Sequence, residues 1–358
     1  MLKFPARFRL PEKIDLVDIF LWFVRVVAIV VVVWGAFFSL TSGRLTLRQW
    51  QDLIIFGIAQ GSVYALIALG YTMVYGVLRF INFAHGEVFM SGAIVGYFVA
   101  DALARAGVWA SQPFLSLAIV LVCSMATSTL IAVGLERVAY RPLRGAPRLI
   151  PLITSIGASF FLQYAVFGLF GAQTKTYPAV PALAGSFELL GFRILKSNAL
   201  VIVLAVAMMG ALYLFVERTR AGRALRAVAE DREIAALMGV DVNRTIVLTF
   251  AVGGAMAGVA GLVWGLVFRT VFFFTGFLPG IKAFTAAVLG GIGNMPGAML
   301  GGLLLGTFES LGPSLVLTGL GIPSAHQLKD VVAFIALVLV LIFRPTGLLG
   351  ERLSEERA

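Results

Sequence analysis

Apolar residues in this chain fall in long, nearly unbroken runs. The uncharged runs are Val26 to Gly43, Leu53 to Leu78, Ala106 to Leu135, Leu149 to Thr174, Ser197 to Val216, Thr245 to Phe268 and Ala283 to Phe308. A hydrocarbon core about 30 Å thick needs roughly 20 helical residues to cross. Most runs meet that length, so the pattern predicts an all-α, polytopic transmembrane bundle. Two stretches are shorter, 88–100 between Glu87 and Asp101 and 331–343 between Asp330 and Arg344. At about 1.5 Å per residue either covers only about 20 Å. Helices there must draw flanking polar groups into the slab or be re-entrant.

Charge placement orients the thread. With Lys3, Arg7, Arg9 and Lys13 in the cytoplasm, helices are expected at about 18–40, 53–78, 86–104, 114–136, 149–171, 198–216, 246–268 and 328–343. The stretch 281–312 carries a Gly-rich break, Gly290 to Gly297, and forms either two helices or a re-entrant hairpin, for eight to ten spans. Two loops then fall inside, one with Arg137, Arg141, Arg144 and Arg148, the other with Arg218, Arg220, Arg223, Arg226, Arg232 and Arg244. Of the 28 Lys and Arg, eighteen lie in inside segments and nine in outside ones or at their borders, with Arg25 inside the first helix left out, as the positive-inside rule requires. Both termini come out cytoplasmic. The first run has no A-x-A-like cleavage site after it and is expected to be a retained helix.

Composition narrows the function classes. The chain has 358 residues, 60% hydrophobic and only 13% charged, far from a soluble domain. One cysteine, Cys123, excludes an internal disulfide and a Cys-rich metal site, and two histidines make a metal centre unexpected. No cofactor is expected. The net charge of +10 sits in short loops between apolar runs, which points to membrane orientation, not nucleic acid.

Small residues recur every fourth position at Gly253, Ala257, Gly261 and Gly265, and at Gly293, Gly297 and Gly301, as in helix faces that approach closely in lipid. The second helix starts outside and the seventh inside, and each is followed by a Gly-interrupted short segment. That is the hydropathy pattern of an inverted repeat with broken helices.

Phe80 to Glu87 places Asn82, His85 and Glu87 beside helices otherwise free of charge. Ionisable groups at membrane depth are costly and mark pathways. Alternatively Asn82 caps the third helix and Glu87 favours its positive end. Glu309 follows 26 uncharged residues and either faces a polar cavity or sits among headgroups. Asp330 needs a partner, while Lys329 is expected to snorkel. Tyr64, Tyr71 and Tyr75 form one helical stripe, for packing or for the pathway. Candidate pathway residues are Tyr64, Tyr71, Asn82, His85, Glu87 and Glu309.

The segment 217–244 is charge-rich and helix-forming. Leu225, Val228, Ala229, Arg232, Ala235, Ala236 and Gly239 share one weakly apolar face. It reads either as a helix lying on lipid or as one that docks into a groove of a soluble partner. No Gly-x-x-x-x-Gly-Lys-[Ser/Thr], Gly-x-Ser-x-Gly or His-Glu-x-x-His occurs, so the chain carries no P-loop and no such enzyme motif. An ATPase, if one drives transport, is another chain.

Four blocks in order resemble the high-affinity branched-chain amino-acid permease family, the LivH type. They are Gly57–Tyr97, Arg223–Gly261, Gly290–Gly302 and Leu328–Gly350. The resemblance implies a non-enzymatic permease subunit of an ABC importer. Its partners would be a second, LivM-like permease, two ATP-binding cassette subunits and a periplasmic substrate-binding protein. It also implies that Glu233 to Gly239 is a degenerate coupling loop lacking the usual Leu-Pro after the Gly, so that Glu230, Asp231, Glu233, Ala235, Ala236 and Gly239 are its candidate contact residues. Residues 46–350 would be the permease domain, 1–45 an extra leader and helix, and 351–358 a cytoplasmic tail. Family substrates reach beyond leucine, isoleucine and valine to other amino acids, amides and urea. The rival readings are a stand-alone secondary transporter or channel, and a membrane-embedded enzyme, which would need ionisable groups clustered at one depth.

Overall fold

The computed structural model describes residues 16–147, 149–189, 191–344 and 346–350. The leader 1–15 and the tail 351–358 lie outside the described residues. Thirteen α-helices follow one another: α1 (Leu16–Thr41), α2 (Leu47–Leu78), α3 (His85–Arg105), α4 (Val108–Ser111), α5 (Pro113–Leu135), α6 (Leu149–Phe170), α7 (Lys196–Arg218), α8 (Arg220–Glu230), α9 (Arg232–Leu237), α10 (Val242–Phe268), α11 (Phe277–Gly290), α12 (Met295–Gly312) and α13 (Lys329–Phe343). Among the described residues nine helical segments are long and apolar enough to cross a membrane, and α11 is a shorter apolar helix. The Gly-rich break therefore separates two antiparallel helices. Four short strands complete the described residues. β1 (Lys175–Thr176) pairs with β4 (Thr270–Val271), and β2 (Ser186–Leu189) with β3 (Phe192–Leu195), all antiparallel.

Local chemistry sets the boundaries. Thr46 and Gln49 form a capping box at the start of α2, with Gln49 N–H donating to Thr46 Oγ1 and Thr46 N–H to Gln49 Oε1. Asp241 accepts the Arg244 N–H ahead of α10, and Asn294 the Gly297 N–H ahead of α12. Pro113 occupies the first turn of α5, where its missing N–H costs nothing. The short apolar stretches resolve in the first of the two ways open to them. α3 takes in His85, Glu87, Asp101 and Arg105, and α13 takes in Lys329 and Asp330.

α2 is the central element. Its Gly57, Gly61 and Ala65 lie against Ser310, Gly306 and Gly302 of α12. A Cβ at Gly61 would come within 2.8 Å of the Leu303 backbone. The α10 stripe packs as its spacing predicts, Gly253 on Gly70, Gly261 on Ala93 and Gly265 on the Tyr177 ring, while Gly254 and Gly258 pack on α5. In the other series Gly297 meets Gly290 and Gly301 meets Ala286, whereas Gly293 lies in the turn with φ 94°.

Two non-helical segments that end in turns lead into helices. Residues 79–84 lead from α2 into α3, and residues 270–276 lead from α10 into the 14-residue α11, about 21 Å long. Gly86 of α3 packs against Gly276 and Gly280 of α11, so the two N-termini meet. Leu348 and Leu349 N–H donate to the Leu289 and Gly290 carbonyls, pinning the α11–α12 turn to the chain that follows α13.

α1 stands at the periphery. Trp22, Phe23 and Trp34 are exposed, as suits a face turned to lipid acyl chains. It touches the rest through Gly35 on Val316, through Ser39 Oγ donating to Ser314 O, and through Arg25, whose guanidinium donates to Ile342 O at 2.7 Å and lies over the Phe343 ring. Arg25 thereby satisfies a carbonyl at the end of α13 that has no helical partner.

Candidate functional site

The six candidate pathway residues fall into two buried clusters. The first gathers Tyr71, Asn82, His85 and Glu87 where α3 and α11 begin. Asn82 does not cap α3, which starts after Ala84 without a side-chain cap. Its Oδ1 instead accepts a hydrogen bond from the Tyr140 hydroxyl at 2.6 Å. The His85 ring stands edge-on to Tyr71, with centroids 4.9 Å apart, over Gly70, where any side chain would displace it.

Glu87 is 1% exposed. Its Oε1 accepts from Gln163 Nε2 at 2.6 Å and from the Ser159 hydroxyl at 3.3 Å. Its Oε2 has no partner among the described residues and lies beside Gly276. The carboxylate sits where the positive ends of α3 and α11 converge, which favours its charge. A cavity of about 250 Å³ opens here, lined by Tyr71, Phe83, Glu87, Ser159, Phe277 and their neighbours.

Sequence reasoning missed the donors to Glu87. Ser155, Ser159 and Gln163 lie at i, i+4 and i+8, a buried polar stripe on the otherwise apolar α6. Ser155 Oγ accepts the Phe83 N–H and lies 3.3 Å from Ile81 O. The stripe thus fastens residues 81–87 to α6. Its helical spacing was the available signal.

The second cluster holds Tyr64 and Glu309 and is an ion-pair network. Lys282 of α11, which borders the apolar run from Ala283, is buried and reaches Glu309 Oε1 and Asp330 Oδ1, each at 2.7 Å. The Tyr64 hydroxyl donates to Glu309 Oε2 at 2.9 Å and accepts from Gln60 Nε2 at 2.9 Å. Lys329 lies 3.9 Å from Glu309 and is half exposed. Glu309 is therefore buried within an ion-pair network. Asp330 has its partner in Lys282, and the network ties α2, α11, α12 and α13 together.

The expected single helix over 217–240 is broken in two. Asp231 takes an extended conformation (φ −150°, ψ 119°), and its carboxylate accepts from the Glu233 and Ile234 N–H groups, capping α9. Of the six coupling-loop candidates, Glu230, Asp231, Glu233, Ala236 and Gly239 are exposed and Ala235 is buried. Leu225 and Val228 root the segment. Beyond them Leu237 is 87% and Met238 79% exposed, with Ile234 beside them. Gly239 has φ 83°, a left-handed turn suited to glycine.

Two arginines clasp this segment to α2. Arg232 donates to Val77 O at 2.6 Å, and Arg79 donates to Ala229 O at 3.0 Å. Burial, with Arg144 and Arg79 nearby, pushes the Arg232 guanidinium below its ordinary range. Arg144 pairs in turn with the buried Glu136.

Comparison with known proteins gives one consistent answer. The family described as "Branched-chain amino acid transport system / permease component" matches residues 53–341. The high-affinity branched-chain amino acid transport system permease protein BraD of Pseudomonas aeruginosa is 47% identical over 308 residues, covering 85% of this chain and 96% of that protein. The LivH permease of Salmonella typhimurium is 43% identical over 298 residues, covering 82% and 94%. With its helices, this makes it a multi-pass membrane protein, and the chain belongs to the branched-chain amino acid transport system permease family.

Proposed function

We propose that this chain is the membrane-spanning permease subunit of an ATP-driven importer of branched-chain or related amino acids. It does no covalent chemistry. Its partners are a second, LivM-like permease, two ATP-binding subunits and a periplasmic substrate-binding protein. The assembly sits in a bacterial inner membrane with both termini of this chain cytoplasmic. Residues 46–350 form the permease domain, 1–45 add a leader and an outer helix, and 351–358 form a tail. Family membership and near-complete coverage of the permease relatives support this reading.

The observation that carries the coupling role is the construction of α8–α9. A well-rooted segment presents Ile234, Leu237 and Met238 outward, next to Glu233, Ala236 and Gly239. Exposed apolar side chains on a short helix suit a groove on a soluble partner. The clasp supplies the route inward. Displacing α9 pulls on Val77 through Arg232, and displacing α8 pulls on Arg79, the residue that opens the 79–84 segment. That segment leads to Asn82, His85 and Glu87. Tyr64 and Glu309 act on the same centre through Lys282, because α11 carries both Lys282 and the Gly276–Gly280 contact with α3. ATP-driven closure would shift the balance between outward- and inward-open states.

Reconstitution tests the proposal. Leucine uptake into proteoliposomes is expected only with the ATP-binding subunits, the binding protein and ATP all present. Uptake by the chain alone, driven by an ion gradient, defeats it in favour of a secondary transporter.

A further inference from the structure

Glu87 borders this cavity with one carboxylate oxygen left open. One carboxylate oxygen is satisfied by Gln163 and Ser159, while Oε2 is buried without a partner among the described residues. An unpaired buried charge is expensive, and a donor that pairs with it recovers that cost. The rest of the wall is apolar, with Phe83, Ile156, Phe160, Phe277 and Ile281. No group of three or more His, Cys, Asp or Glu suited to a metal ion exists among the described residues. A cationic donor attached to an apolar body suits both the open oxygen and these walls. About 250 Å³ is below the ~300–1,000 Å³ of drug-sized pockets, so the occupant is small.

We propose that this cavity is an amino-acid subsite in which Glu87 takes the α-ammonium group of the substrate and the walls from α6 and α11 take its aliphatic side chain. Gln163 and Ser159 are positioning residues that hold Oε1 and leave Oε2 for the ligand. The positive end of α11, which begins directly after Gly276, faces the same space and suits the substrate carboxylate.

The assignment rests on the amino-acid importer reading, and its test keeps the two apart. The complete importer is purified, and binding of radiolabelled leucine is measured in competition with 3-methylbutylamine and with 4-methylpentanoate. The amine is expected to compete and the acid not to. Glu87→Gln is expected to lower leucine binding and ATP-driven uptake about 10- to 100-fold, the range set by one charge-assisted hydrogen bond, with subunit assembly retained. Ile156→Trp fills the cavity without touching Glu87, and is expected to impair leucine more than alanine. Wild-type uptake in both variants overturns the subsite and leaves the importer intact. Competition by the acid and not the amine also overturns it. Failure of Glu87→Gln to assemble with the second permease overturns it in favour of a partner's cation at Glu87. A wild-type complex that carries no amino acid sinks the importer reading itself, and the subsite with it.

Discussion

Lys282 and Glu309 stand 2.7 Å apart in the interior, and the same ammonium reaches Asp330 at 2.7 Å. One cation thus binds carboxylates from α12 and α13 while the Tyr64 hydroxyl holds the other side of Glu309. Removing the cation leaves Glu309 charged and buried. Lys282→Met is expected to destabilise the protein by about 3–5 kcal/mol, the usual cost of breaking a buried pair from one side. The double variant Lys282→Met, Glu309→Gln should recover much of this. Thermal unfolding in nanodiscs measures both, and equal loss in the single and double variants would show that the charges are not coupled.

The clasp between Arg232 and Val77 O, with its counterpart between Arg79 and Ala229 O, makes a kinetic prediction. Each bond to a charged donor contributes about 1.5–3 kcal/mol. Arg79→Ala and Arg232→Ala should leave ATP hydrolysis by the assembled complex near wild type while uptake falls about tenfold or more, since that energy sets the scale of lost coupling. Parallel loss of hydrolysis and uptake would remove the clasp from the transmission route.

Leu237, the most exposed apolar side chain of α9, is a natural anchor. Leu237→Glu should weaken co-purification of the ATP-binding subunits about tenfold or more, as for a truncated interface anchor, without affecting membrane insertion. Retention of those subunits at wild-type yield would place the docking face elsewhere.

α1 lies outside the family match at 53–341 and is held by few contacts. Deleting residues 1–45 should leave leucine uptake standing and cost about 1.5–3 kcal/mol of stability from the lost Arg25 bond to Ile342. Abolished uptake in a stably inserted deletion would give the outer helix a transport role.

Much of this fold can be read along the chain, because length and apolarity decide where a helix crosses. The helix expected at 114–136 is Pro113–Leu135, and the one at 149–171 is Leu149–Phe170. Tyr64 and Tyr71, the small-residue stripe of α10, and Asn82, His85 and Glu87 are buried, while Tyr75 is partly exposed. The pairings are another matter. Lys282 finds Asp330 across 48 positions, and Gln163 finds Glu87 across 76, through contacts that exist only once α6 and α11 have docked. The split at Asp231 escaped periodicity, since an N-cap inside a helix-forming stretch competes locally with helix continuation.

The glycine seam between α2 and α12 limits how this protein can diversify. Gly57, Gly61, Gly302 and Gly306 bring two backbones together with no room for a side chain on either. A descendant that adopts a new cargo cannot begin by rewriting that seam. Its freedom lies in Ile156, Phe160, Phe277 and Ile281, where size can change without parting the central pair. Relatives with different diets should therefore share the seam and diverge at these four positions.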